Sequence, residues 1–104
     1  MINYIEEKYF IGYLENIFDC RKSFYKKAKI YKKDNMLYLK SYNTIVCSID
    51  LQNEKYYIED YFSDTTSRHV NDFLLQNNCI KRKIGKQEIL KIKQEWRNMG
   101  EWDA

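Results

Sequence analysis

The chain has 104 residues, 44% of them hydrophobic and 32% charged, with a formal net charge of +3. That length suits a single domain, and the apolar share can form a core, which excludes a disordered chain. No apolar run approaches the ~20 residues a membrane helix needs, and a wholesale DNA mimic is excluded because it would be strongly acidic.

From about Asn3 to Asp19, the residues Phe10, Tyr13, Leu14, Ile17 and Phe18 recur at helical spacing, which predicts an N-terminal helix. Gly12 falls inside it and weakens it by roughly 1 kcal/mol against alanine. Four strands are expected next: Ser23 to Lys33, Met36 to Tyr42, Thr44 to Leu51 and Lys55 to Phe62. Their connections, Lys33-Asp34-Asn35, Tyr42-Asn43 and Gln52-Asn53-Glu54, are short and rich in turn formers, so the strands should form an antiparallel meander. One face would carry Ile30, Leu37, Leu39, Ile45, Ile49 and Ile58.

Ser63-Asp64-Thr65-Thr66-Ser67 is a helix start, because short oxygen-bearing side chains satisfy the free N–H groups of a first turn. Val70, Phe73 and Leu74 then make an apolar stripe, and Asn77-Asn78 is the stop. A basic connector, Cys79 to Gly85, leads to a last helix from Lys86 to about Asn98, with Ile89, Ile92, Trp96 and Met99 on one stripe. The expected fold is therefore α+β: an N-terminal helix, a four-stranded antiparallel meander, then two helices packed on one face of the sheet. A single domain would span 1–104, with the basic helix at about 86–98.

The net charge hides blocks: residues 1–20 carry −3, 21–40 carry +7, 50–72 carry −4 and 81–97 carry +5. In the strands the basic residues alternate with tyrosine. Tyr25, Lys27, Lys29 and Tyr31 share one parity, and Tyr38, Lys40 and Tyr42 share one on the next strand. If both face outward, they make an aromatic and cationic platform. Bases stack on aromatic rings and lysines neutralise phosphates, so nucleic acid is one partner of that chemistry. Exposed tyrosine equally suits a protein interface, including a homodimer contact. The bland alternative is that tyrosine simply favours strands and lysine keeps them soluble. Lys81, Arg82, Lys83, Lys86, Lys93 and Arg97 form a second basic patch, which either extends an anionic footprint or is a solvated helix face.

Catalytic chemistry is not expected. The single histidine, His69, lies inside a helix, and Ser67 and Asp72 are not spaced to make a triad with it. Cys20, Cys47 and Cys79 show no CxxC or His/Cys spacing, so no metal or other cofactor is expected. They read as reduced thiols in a cytosol.

Ser23-Phe24-Tyr25, Lys27-Ala28-Lys29-Ile30, Ser41-Tyr42-Asn43-Thr44 with Val46, and the run Tyr61-Phe62-Ser63-Asp64-Thr65-Thr66-Ser67-Arg68-His69-Val70-Asn71-Asp72-Phe73-Leu74 with Gln76-Asn77 resemble a small domain of unknown function. That domain is carried by phages and mobile elements, and the resemblance covers roughly residues 10–78. The family pattern often has glycine where this chain has Lys26, which implies a tighter turn or bulge there in relatives, and usually Tyr-Ser where it has Phe62-Ser63. No site residue can be carried over. The resemblance implies an accessory protein that acts by binding a host protein or ribonucleoprotein complex, and anti-CRISPR activity against a CRISPR effector is one such role. The alternative is a small DNA- or RNA-binding module using the same face.

Overall fold

A five-stranded antiparallel sheet, its strands adjacent in sequence order, forms the middle of the protein. The computed structural model describes residues 4–19, 24 and 26–99, with side chains as far as residue 95. The strands are β1 (Phe10–Tyr13), β2 (Ala28–Lys33), β3 (Met36–Ser41), β4 (Thr44–Asp50) and β5 (Lys55–Ile58). A 3-10 turn, Glu7–Tyr9, precedes them, and helices α1 (Asp64–Gln76) and α2 (Lys86–Met99) follow. The architecture is α+β with two helices.

The N-terminal helix expected from Asn3 to Asp19 is absent among the described residues. Phe10–Tyr13 is instead a fifth strand paired to the outer edge of β2, with Phe10 opposite Tyr31 and Tyr13 opposite Lys29. The helical spacing was a local coincidence, and β2 offers this segment a long-range hydrogen-bonding partner that outweighs local preference. Leu14 enters the core, whereas Ile17 and Phe18 do not.

The hairpins form where turn chemistry places them. Asp34, Tyr42 and Glu54 have φ of 55°. Lys26 has the same φ, in a turn where the Lys27 N–H donates to the Phe24 carbonyl at 2.7 Å. That left-handed conformation is one that glycine adopts at little steric cost and lysine does not.

The main core lies between the sheet and the helices. Ala28, Leu37, Leu39, Cys47, Ile49 and Ile58 meet Val70, Phe73 and Leu74 of α1 and Ile89 of α2. Ile45, expected on this face, is on the other. Cys47 opposes Leu39, but the next pair is Ile45 opposite Lys40, so Val46 is an extra residue at a β-bulge. The bulge reverses the parity on either side of it. Val46 itself is buried in the main core.

The second face is not open either. The cross-strand row Phe10, Tyr31, Tyr38, Ser48 and Tyr57 runs along it. Ile5 packs on Tyr31 and Ile45, with Tyr9 and Phe10 alongside, in a second small core. Burying one large apolar side chain contributes about 2 kcal/mol, so this N-terminal cover is part of the fold.

Candidate partner-binding surface

The polar residues of α1 are mostly occupied in holding the fold. The Ser63 hydroxyl accepts from the Thr66 N–H at 3.1 Å and caps the helix. At the other end Asn78 has φ of 60°, and the Cys79 N–H reaches back to the Leu74 carbonyl at 2.9 Å. The Asn71 amide donates to the Ile84 carbonyl at 3.0 Å and accepts from the Ile84 N–H at 2.6 Å, pinning the connector to the helix.

Thr66 and His69 face β3. The Ser41 hydroxyl lies 3.1 Å from the Thr66 hydroxyl and 2.8 Å from His69 Nδ1. All three residues are buried, and the Phe24 ring meets the imidazole at 4.5 Å in a T-shaped contact. Burial, with the Arg68 and Lys27 charges adding to it, lowers the His69 pKa from 6.5 to about 4. The imidazole is therefore neutral near pH 7 and shut away from solvent.

Asp72 is the most heavily used side chain. Its carboxylate accepts the N–H groups of Ile17 at 3.2 Å, Phe18 at 3.1 Å and Asp19 at 3.2 Å. Gln76 donates to the same carboxylate and to the Glu15 carbonyl at 2.7 Å. Arg68 Nε lies 3.0 Å from Asp19 Oδ2. One helix face thus grips the loop 14–19 from beneath.

The expected platform breaks up. Tyr31 is fully buried, and its hydroxyl donates to Glu7 at 2.6 Å. Burial and that hydrogen bond raise its pKa to about 12. Tyr38 is half-buried in the same row. Tyr25 lies outside the described residues. The shared face was legible from parity, but its covering by Ile5 is a long-range contact with no local signal.

What remains is the end of the sheet where β1 stops and the 26–27 and 42–43 turns lie. Lys29 and Lys40 are directly opposite each other across β2 and β3, and Tyr13 is opposite Lys29. Lys26 sits over the Tyr13 ring at 6.0 Å, and Lys40 over the Tyr31 ring at 5.8 Å. The Tyr42 N–H donates to the Lys27 carbonyl at 2.8 Å, tying the two turns together. Tyr13 and Tyr42 are 42% and 49% exposed. Among the described residues Lys27, Lys29 and Lys40 make no ion pair. Like charges placed directly opposite in a sheet cost up to about 1 kcal/mol, so the Lys29–Lys40 pair opposes folding slightly. Tyr13 and Lys26 were missed from sequence because Tyr13 was read as helical and Lys26 has the other parity.

The second basic patch is also divided. Lys81, Arg82 and Lys83 are exposed on the connector. Arg82 is 3.7 Å from Glu88, Lys93 is 2.9 Å from Asp60, and Lys86 lies over the Tyr61 ring at 5.2 Å. The side chain of Arg97 lies outside the described ones. Among the described residues no group of three His, Cys, Asp or Glu is placed to hold a metal ion.

Residues 13–91 match the family of unknown function DUF8033. The chain belongs to that family. The DUF8033 match takes in the sheet from Tyr13 onward, the gripped loop, α1 with its capping residues, and the start of α2. No curated protein and no solved structure matches the chain. No helix among the described residues is long and apolar enough to cross a membrane.

Proposed function

We propose that this DUF8033 protein is a stoichiometric binder, not a catalyst, that inhibits a host defence or nucleic-acid-handling complex. The setting is that of the phage or mobile-element resemblance, with an anti-CRISPR role as its specific form. The observation that supports this is the opposed Lys29–Lys40 pair, joined at one end of the sheet by Lys26, Lys27 and the exposed rings of Tyr13 and Tyr42. Such a cationic and aromatic surface suits an anionic partner, because lysines contribute long-range attraction and tyrosines contribute contact area. A ribonucleoprotein complex offers both acidic protein and phosphate.

The test is affinity capture from the natural host, with the wild type and a Lys27→Glu/Lys29→Glu/Lys40→Glu variant side by side. The wild type should retain a nucleic-acid-handling complex, and the variant should lose it with its melting temperature preserved. Equal capture by both would discard the surface. A gel shift with naked oligonucleotides at low salt separates the DNA- or RNA-binding module: retention that falls steeply as salt rises would favour that reading instead. The exposed Tyr13 and Tyr42 rings keep it in view, since bases stack on such rings.

A further inference from the structure

We infer that the loop 14–19 is an apolar anchor whose Ile17 and Phe18 insert into a hydrophobic pocket of a partner protein, one bordered by carboxylates. This rests on the binder reading and adds the chemistry of the partner's contact.

Ile17 is 66% and Phe18 48% exposed. Two adjacent large apolar side chains at the surface, rimmed by polar residues, have the character of an interaction site. Their backbone is nevertheless held firmly. The Asp72 carboxylate takes the N–H groups of Ile17, Phe18 and Asp19, Gln76 holds the Glu15 carbonyl, and the Asn16 amide donates to the Asp19 carbonyl at 2.9 Å. Arg68 adds the ion pair to Asp19. A floppy loop would need none of this. A loop rigid before it meets its partner loses little conformational freedom on binding, and buried apolar anchors are where binding energy concentrates.

The loop is continuous with the lysine surface. A hollow of about 460 Å³ is lined by Tyr13, Leu14, Ile17 and Phe24 together with Lys26 and Glu15. Tyr13 is opposite Lys29, and Lys27 adjoins Phe24 through its N–H. Glu15 is the loop's exposed carboxylate, while Asp19 is buried against Arg68. The surroundings of the anchor are therefore net positive, and an acidic border on the partner complements them. An aliphatic Ile17 has no π-face for a base and nothing to offer a phosphate, so a protein fits this tip better than nucleic acid.

The experiment is a random peptide library displayed on phage, panned on the full chain and counter-screened on Ile17→Ser/Phe18→Ser and on Ile17→Ser alone. The single variant removes the more exposed side chain and keeps the test valid if the double variant loses stability. Selected peptides should pair large apolar residues with Asp or Glu, and Ile17→Ser/Phe18→Ser should weaken them about thirtyfold, the loss typical of a hot-spot side chain. Peptides that bind wild type and variants alike, or a panning that enriches nothing, would overturn the anchor. If the chain captures its host complex through the lysines while no peptide needs Ile17 or Phe18, the binder reading stands and the anchor alone falls.

Discussion

Acidification from pH 7 to pH 5 should weaken this fold through one group, His69. The imidazole is buried against Ser41, Thr66 and Phe24, with the Arg68 and Lys27 charges further opposing its protonation. Its pKa is about 4 in the folded state against 6.5 when free. A depressed histidine pKa means that the unfolded chain binds the proton first. Above pH 6.5 both states are neutral and nothing is lost. Between 6.5 and about 4 only the unfolded chain is protonated, and stability falls with pH. The gap sets a ceiling of about 3 kcal/mol, and about 2 kcal/mol of it should be gone by pH 5. That is a shift in urea midpoint of about 1 M, read from equilibrium unfolding curves at the two pH values. A His69→Gln variant, weaker at pH 7, should lose far less between pH 7 and pH 5. Asp50 does not confound the window: its pKa is lowered from 3.8 by hydrogen bonds from Asn53, so its share is lost only in stronger acid. A variant that keeps the wild-type slope, or a wild type flat from pH 7 to 5, would refute the account.

Lys26→Gly should raise stability by about 0.5–1 kcal/mol, because a residue held at φ of 55° carries a steric cost that glycine avoids; thermal unfolding would show it. Asp72→Ala should cost about 3 kcal/mol by leaving the N–H groups of residues 17–19 without their acceptor, and hydrogen exchange should report faster exchange at Ile17 and Phe18. Added salt should stabilise the wild type more than Lys29→Gln, since screening relieves the repulsion between Lys29 and Lys40; urea midpoints across a salt series measure it.

How much was legible from sequence follows the range of the interactions. Helix α1 was read to within a residue, because its start is a Ser63 cap and its stop an asparagine at φ of 60°. Helix α2 and the hairpins followed from apolar period and turn residues in the same way. The N-terminal segment misled because its spacing satisfied a helix locally, while the partner that makes it a strand lies some 20 residues on. The platform misled for a related reason. Alternation correctly put Lys29, Tyr31, Tyr38 and Lys40 on one face, but nothing in alternation says that Ile5 covers Tyr31. Ile17 and Phe18 gave the opposite result, apolar residues counted into a helical stripe and found exposed on a loop.

Sequence by itself determined the α+β class, both helices, the order of the later strands and the charge blocks, since each is written in neighbours a few residues apart. Tertiary structure alone decided that the second face is covered, where the bulge turns Ile45 away, and what the polar run of α1 is for. Those depend on contacts between distant segments, above all the Asp72 carboxylate meeting the N–H groups of residues 17–19 more than fifty positions earlier. A backbone N–H without an acceptor is costly when removed from water, and only the folded chain shows which side chain supplies one.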